Sequence, residues 1–132
     1  MTPLLLSAAA PGALELGIDG QRSPRGVVQL CLTRDPVSFP GCSGDTSAVK
    51  RSVPAGERTV RIEGLATGSY AVALFHDENG NGRLDTRLGI PREGFGFSRN
   101  PPVYFGPPSF AAARFPVASG ATGQQVRLKY LF

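Results

Sequence analysis

The chain has no tryptophan, one methionine, one histidine and only two cysteines among its 132 residues. The shortage of histidine and cysteine excludes a zinc site built from four such ligands. The sequence also lacks an apolar run of the roughly 18 residues that a membrane-spanning helix requires. No segment of about ten residues or more shows helical periodicity. The 17 glycines and 12 prolines instead favour short strands separated by turns.

Positive charge is scattered along the sequence and comes mainly from arginine. The formal net charge is +4, and the lysines are Lys50 and Lys129. Many arginines stand beside an acid, as Arg34 does beside Asp35. A nucleic-acid binder gathers such charge into a stripe or patch. We therefore expect a solvated basic surface and no nucleic-acid partner.

The first ten residues are similar to the end of a secretory signal. Three leucines at positions 4–6 form a short apolar core, and the small residues at 7–10 suit cleavage by a signal peptidase. The positively charged front end of a signal is missing, so either the true start lies upstream or this is simply an apolar terminus. We expect residues 1–11 to be a signal-peptide remnant or a disordered N-terminus, and residues 12–132 to form a single β-sandwich domain.

Cys31 and Cys42 are the two cysteines, and a segment containing proline and glycine separates them. An isolated pair at this spacing favours one disulfide bond that closes a loop, in agreement with export. Two free buried thiols, or half of a metal site, are the alternatives. A disulfide that closes a loop of this size stabilises a protein by roughly 3 kcal/mol.

Short alternations of apolar and polar residues predict half-buried strands. They lie at 14–19, 28–32, 60–63, 70–75, 110–117 and 126–131. Both faces of the 70–75 run are apolar, which indicates a central strand that is covered on each side. We therefore predict an all-β fold, an antiparallel two-sheet sandwich of about six to eight strands. Two long irregular loops are expected at 34–55 and 87–109, and loops of that length often carry function.

The segment that follows the predicted central strand, residues 76–98, carries the chemistry of the sequence. Six residues would offer oxygen ligands to a hard cation such as Ca²⁺: Asp77, Asn79, Asn81, Arg83 through its backbone carbonyl, Asp85 and Glu93. The first five stand at alternate positions, as in calcium loops, and Gly82 matches the glycine at the sharp turn of such loops. Leu88 occupies the place of the bidentate glutamate of an EF-hand, so Glu93 would have to fold back. We expect weak calcium affinity, with a dissociation constant on the order of 10⁻⁴–10⁻³ M.

The same residues also fit a plain hairpin turn. Asn-Gly pairs tolerate the positive φ angles of such turns, and this segment contains two of them, at 79–80 and 81–82. Asp77 and Asp85 would then cap local backbone amides. The sequence leaves the cation loop and the plain turn open as alternatives.

His76 suggests a third interpretation, a small metal-dependent hydrolase centred on His76, Asp77 and Glu93. A histidine at this place more commonly caps a core or orients the neighbouring loop. Ser98 lacks the sequence context of an activated nucleophile. Four aromatic residues either line a ligand groove or pin their own loop: Phe95, Phe97, Tyr104 and Phe105.

The segment from Gly68 to Gly82, with the later Gly-Ile-Pro and Gly-Phe-Gly-Phe-Ser runs, closely resembles the bacterial domain-of-unknown-function family numbered 2141. The residues that carry the resemblance include His76, Gly80, Gly82, Gly89, Pro91, Gly94, Phe97 and Ser98. The likeness extends over nearly the whole chain. It implies an exported bacterial protein, periplasmic or secreted, and it implies no established activity.

A looser resemblance points to prealbumin-like (transthyretin-like) sandwich modules, which include the B-type repeats of bacterial surface adhesins. It rests on Leu65, on the Gly-x-Tyr of residues 68–70 and on the acidic Asn/Gly loop. A similar loop binds calcium in the adhesin repeats, which implies that role for Asp77, Asn79, Asn81 and Asp85. We therefore expect a monomeric, non-enzymatic module with a structural role or an unknown envelope or extracellular partner.

Overall fold

The computed structural model describes residues 10–87, 90–103 and 106–132. The secondary structure is β1 (Gly12–Asp19), β2 (Val27–Thr33), β3 (Val49–Pro54), β4 (Thr59–Leu65), β5 (Gly68–Asp77), β6 (Thr86–Arg87), β7 (Ile90–Pro91), β8 (Phe95–Phe97), α1 (Phe110–Ala113), β9 (Phe115–Val117) and β10 (Gly120–Arg127). Most of the predicted signal segment lies outside the described residues, as do Leu88, Gly89, Tyr104 and Phe105. Over the described ranges, no helix has the length and apolar character needed to cross a bilayer.

The strands form two main sheets, so the predicted all-β sandwich is confirmed. One sheet has the order β10-β1-β4, and the other has the order β3-β2-β5-β8, with β9 also paired to β5. The described ranges contain ten strands, more than the predicted six to eight, because several two- and three-residue strands leave no alternation to detect.

The prediction of a purely antiparallel arrangement is wrong at one place. Strands β1 and β10 pair in parallel, with Gly12 opposite Gly120 and Asp19 opposite Arg127. Parallel neighbours need a long connection, and here nearly the whole domain intervenes between the two strands. The first and last strands of the domain therefore lie side by side.

The space between the sheets holds the main hydrophobic core. Alternate residues of β5 face inward, as do alternate residues of β1 in the opposite sheet, and both sets belong to one buried cluster. The largest buried side chains of this core include Leu14, Leu16, Ile18, Val28, Leu32, Ile62, Val72, Val117 and Val126. Burying such a side chain contributes about 1.5–3 kcal/mol relative to leaving it exposed.

The outer face of β5 is also covered, as its apolar residues predict. Ala71 and Ala73 belong to a second buried cluster, together with Phe95 and Phe97 of β8. The cover comes from the segment after β2, which the disulfide between Cys31 and Cys42 holds against the sheet, with 5.9 Å between their Cα atoms. The predicted disulfide is confirmed, and the alternatives of free thiols and half a metal site are wrong.

Four predicted boundaries are corrected. The first predicted loop contains β3, whose polar residues Lys50, Arg51 and Ser52 give no apolar alternation because this is an exposed edge strand. The predicted strand at 110–117 is a short helix followed by β9, since Ser109 caps the amide of Ala112 and begins a helical turn. The predicted strand at 126–131 is instead β10, which runs from Gly120 to Arg127. The second predicted loop, 87–109, contains β7 and β8.

Candidate functional site

The predicted site begins at the end of β5, where the chain leaves the sheet. His76 and Asp77 are the last two residues of β5, and both side chains are completely buried. His76 pairs with Val28 and Asp77 with Val27 across the β2 ladder, while the amide of His76 donates to the carbonyl of Gly94 at 2.8 Å. The site therefore starts from a rigid strand that is held on both sides.

Both nitrogens of the His76 ring have partners. The Nε2 atom lies 2.6 Å from the carbonyl oxygen of Arg25, and the Nδ1 atom lies 2.7 Å from the hydroxyl of Tyr130. Since a carbonyl oxygen only accepts, Nε2 carries a hydrogen, and in the neutral ring Nδ1 accepts the Tyr130 hydroxyl. That hydroxyl also accepts the amide of Arg22 at 3.1 Å. The ring thus ties β5 to the N-terminal and C-terminal segments and offers no free nitrogen to a substrate.

Arg22 connects the C-terminal segment to the start of the acidic loop. Its guanidinium forms an ion pair with Glu78 and lies 4.5 Å from the centre of the Tyr130 ring. The hydrogen bond from Arg22 lowers the pKa of Glu78, and the removal of water by burial raises the pKa of Tyr130. These contacts hold Tyr130 over the end of β5.

The Asp77 carboxylate organises the turn that follows β5. One oxygen accepts the amide of Gly82 at 2.8 Å and the side-chain amide of Gln29 at 3.0 Å, and the other accepts the amide of Asn81 at 3.1 Å. Gly80 and Gly82 have φ angles of 68° and 78°, a left-handed conformation that glycine adopts without strain and that the turn requires. The carboxylate therefore caps the turn, as the plain-turn alternative predicts.

The two asparagines and Asp85 form the outer part of the loop. The side-chain amides of Asn79 and Asn81 donate to the two oxygens of Asp85, at 2.8 and 2.9 Å. The side-chain oxygens of Asn79 and Asn81 accept backbone amides of residues 81 and 83, at 3.2 and 2.9 Å. Hydrogen bonds from Asn81 and then Asn79 lower the pKa of Asp85. Arg83 itself is exposed.

Glu93 folds back onto the loop, as a sixth ligand would require. Its two oxygens accept the amides of Glu78 and Asp85, at 2.9 and 3.0 Å, and the residue is 5% exposed. Burial raises the pKa of Glu93 against the opposing effect of these amides. Glu93 therefore closes the loop by binding both of its ends.

The side-chain oxygens of the loop accept hydrogen bonds from the protein itself. The carboxylates of Asp77, Asp85 and Glu93 all accept N–H donors, and the two asparagines present N–H groups to Asp85. In the described part of the chain, no group of three or more His, Cys, Asp or Glu side chains is arranged to hold a metal ion. The arrangement does not fit a calcium ion unless the asparagine side chains rotate. Calcium binding stays a prediction.

Two further motif residues have structural roles. The buried Ser98 hydroxyl accepts the amide of Val72 at 2.9 Å and donates to the carbonyl of Ala113 at 2.6 Å. It therefore pins α1 to β5. A side chain at Gly94 would overlap the ring of Tyr130, so glycine at this position allows that ring to pack closely. The remaining motif residues include Pro91 in β7 and Phe97 in β8.

A cavity beside this loop, on the outer face of the five-stranded sheet, has a volume of about 970 Å³. Its floor is formed by residues of β2, β5 and β8: Gln29, Cys31, Ala73, Phe75, Phe95 and Phe97. At its mouth lie Leu84, Ile90 and Leu131, which are 38%, 45% and 56% exposed. The sequence left open whether the aromatics line a groove or pin their own loop. Phe95 and Phe97 do both, since they line the cavity and also pack in the second buried cluster, on the outer face of β5.

Sequence reasoning missed most of this cavity. Its lining combines the sheet with loops far apart in the chain, and a single run of sequence does not reveal such an arrangement. Two signals were present, namely the apolar outer face of the 70–75 strand and the aromatics of the later glycine-rich segment. The cations that line the cavity are Lys50, Arg51 and Lys129, and no acidic residue is found in the described lining.

Comparison with known proteins gives one family match. Neither the curated proteins nor the solved structures contain a significant match to this chain. A family described as "uncharacterized protein conserved in bacteria" has a model that matches residues 16–125, which span β1 to β10. The chain therefore belongs to this family of uncharacterized bacterial proteins, DUF2141, as the motif of the acidic loop predicts.

Proposed function

We propose that this protein is an exported, non-enzymatic β-sandwich module that recognises a small, largely apolar ligand of the bacterial envelope or its surroundings. The cavity on the outer face of the five-stranded sheet is the observation that carries the proposal. Its volume of about 970 Å³ is at the upper end of the range for small-molecule sites. Like those sites, it has a mainly hydrophobic and aromatic lining with a few polar groups.

Exposed apolar side chains at the cavity mouth support this function. Leu84, Ile90 and Leu131 are three of the five large hydrophobic residues that are exposed in the described part of the chain. Large apolar side chains that gather at one opening, rather than being spread singly, are typical of an interaction site. A ligand seated there would remove them from water.

The contacts of the acidic loop support a structural role for the residues that suggested a hydrolase. His76, Asp77 and Glu93 are buried, and their polar side-chain atoms are engaged with protein groups. A general base must reach the proton that it removes. The hydrogen bonds of these three side chains to protein groups compete with that role. The loop that these residues brace carries Leu84 to the cavity mouth.

Export rests on a different observation. A disulfide between Cys31 and Cys42 is typical of proteins that fold in oxidising compartments such as the bacterial periplasm. The disulfide also holds the cover of the outer cluster, so the fold of the binding face would depend on the redox state of the compartment.

Titration with N-phenyl-1-naphthylamine, a neutral dye that fluoresces in apolar surroundings, tests the proposed function. We expect saturable binding of one dye per folded protein. Leu131→Asp, at the cavity mouth, should weaken binding by about tenfold, because it removes apolar contact and adds a charge at the mouth.

The matched control is Val37→Asp. Val37 is 92% exposed and does not line the cavity, so this variant adds the same charge at another apolar surface residue. It should bind the dye as the wild type does. Absence of saturable binding, or equal weakening in both variants, would reject the cavity as a binding site.

A further inference from the structure

We infer that the ligand of this cavity is a free, single-chain anionic amphiphile, a molecule with one alkyl chain and one negatively charged head group. The apolar floor would hold the chain, and Lys50 and Lys129 would hold the head at the rim. This inference rests on the proposed function, because it names the ligand class of the same cavity.

The position of the cations relative to the floor is the first argument. Lys50 of β3 pairs with Cys31 of β2, so the two side chains lie on the same face of the sheet. Lys129 forms a β-bridge with Phe95 of β8. Both Cys31 and Phe95 belong to the floor. Lys50 and Lys129 thus flank the floor at its β3 edge and its β8 edge, whereas Arg51 pairs with Leu30 and lies on the other face of the sheet.

The charge balance of the lining is the second argument. The described lining contains three cations and no carboxylate, although the whole chain has 14 basic and 10 acidic residues. Within the described ranges, none of these three cations takes part in an ion pair. A rim of this composition attracts an anion and repels a cation.

The exposure of the same cations determines where the head group would sit. Lys50 and Lys129 are exposed, whereas Phe95, Phe97 and Ala73 on the floor are buried. A charged head in the apolar floor would lose its hydration without a partner, which is strongly unfavourable. At the rim the head meets the cations and keeps water on its other side. Separated apolar and cationic regions therefore select an amphiphile over a compact anion.

Calorimetric titration with three surfactants that share a twelve-carbon chain tests this inference. The probes are dodecanoate, dodecyl maltoside and dodecyltrimethylammonium, each below its critical micelle concentration. We expect dodecanoate to bind with one-to-one stoichiometry, about tenfold more tightly than the neutral maltoside, and the ammonium surfactant to bind most weakly. Exposed ion pairs from the head group to two cations account for a preference of this order.

The double variant Lys50→Gln/Lys129→Gln should bring dodecanoate to nearly the affinity of the maltoside and leave the maltoside unchanged. Arg58→Gln is the matched control, because Arg58 is an exposed cation that does not line the cavity. Added salt of about 0.5 M should reduce the dodecanoate preference in the wild type, since it screens exposed charges. Melting curves establish that each variant is folded.

The outcomes separate this inference from the proposed function. Equal affinities for the three head groups, with saturable dye binding intact, would overturn the anionic ligand and leave the recognition module standing. Loss of both surfactant and dye binding would overturn both. Binding to anionic phosphatidylglycerol vesicles without binding of monomeric dodecanoate would replace the cavity ligand with a membrane surface and overturn the inference.

Discussion

The two faces of strand β5 are both apolar, but they are closed in different ways. The inner face carries Tyr70, Val72 and Leu74, which are buried in the core between the two sheets. The outer face carries Ala71, Ala73 and Phe75, and loops cover it, including the one that the disulfide holds. Between those loops and the sheet a large cavity remains.

This difference separates apolar surface that builds the fold from apolar surface that is available to a ligand. A sheet packed on a sheet fills its interior to the density of a crystal, so the inner face has no space for another molecule. Loops that cross a sheet need not fill the space beneath them, and here Leu84, Ile90 and Leu131 remain partly in water. We therefore expect changes to the inner face to affect stability and changes at the cavity mouth to affect binding.

The largest expected effect is a direct test of this division. Leu14→Ala removes a fully buried side chain of the inner core and should lower the free energy of unfolding by about 2–5 kcal/mol. Leu131→Asp, at the cavity mouth, should change it by less than about 0.5 kcal/mol, as surface substitutions usually do. Urea denaturation measures both. A similar loss in the two variants would contradict the division between the faces.

The disulfide should have the next largest effect, and its effect should extend to the cavity. The variant Cys31→Ala/Cys42→Ala should lower the free energy of unfolding by about 3 kcal/mol, because the unfolded chain gains freedom when the loop opens. It should also weaken dye binding, since the loop lies over the outer cluster. Wild-type protein melted with dithiothreitol should match the variant, and an unchanged melting temperature in both cases would contradict this account.

Asp77 is expected to have a smaller effect. Asp77→Ala leaves the amides of Asn81 and Gly82 without their acceptor. Because the acceptor is a charged carboxylate, we expect the free energy of unfolding to fall by about 2 kcal/mol. Asp77→Asn retains one acceptor oxygen and should cost less. Glu57→Ala, at an exposed acid, is the control and should be neutral in thermal melting. If Asp77→Ala melts like that control, the carboxylate does not brace the turn.

Local patterns predicted the two layers of the fold but not all of its strands. Apolar residues on both faces of the 70–75 run placed β5 at the centre, and alternation in β2 placed Cys31 on the outer face. Strand β3 escaped detection because Lys50, Arg51 and Ser52 follow one another at an exposed edge. The parallel pairing of β1 with β10 is a long-range contact that no local pattern encodes.

The sequence predicts which residues form the candidate site, but it predicts only part of their arrangement. Spacing identified Asp77, Asn79, Asn81 and Asp85 as neighbours, and the need for a further carboxylate pointed to Glu93. Spacing does not show which way a backbone amide points, and here the amides of Asn81 and Gly82 point at the Asp77 carboxylate. The side-chain oxygens are therefore engaged by the loop itself.

The smallest expected change in stability is the one that calcium would cause. It tests whether the loop that braces the cavity mouth binds an ion. With a dissociation constant on the order of 10⁻³ M, about 10 mM calcium should raise the free energy of unfolding by about 1.4 kcal/mol. The affinity is expected to be weak because Asn79 and Asn81 must first turn their oxygens away from backbone amides. Thermal melting with calcium, magnesium or chelator measures the shift, and Asp85→Asn should abolish it. If calcium leaves the wild type unchanged, the loop is a hydrogen-bonded turn that supports Leu84 without an ion.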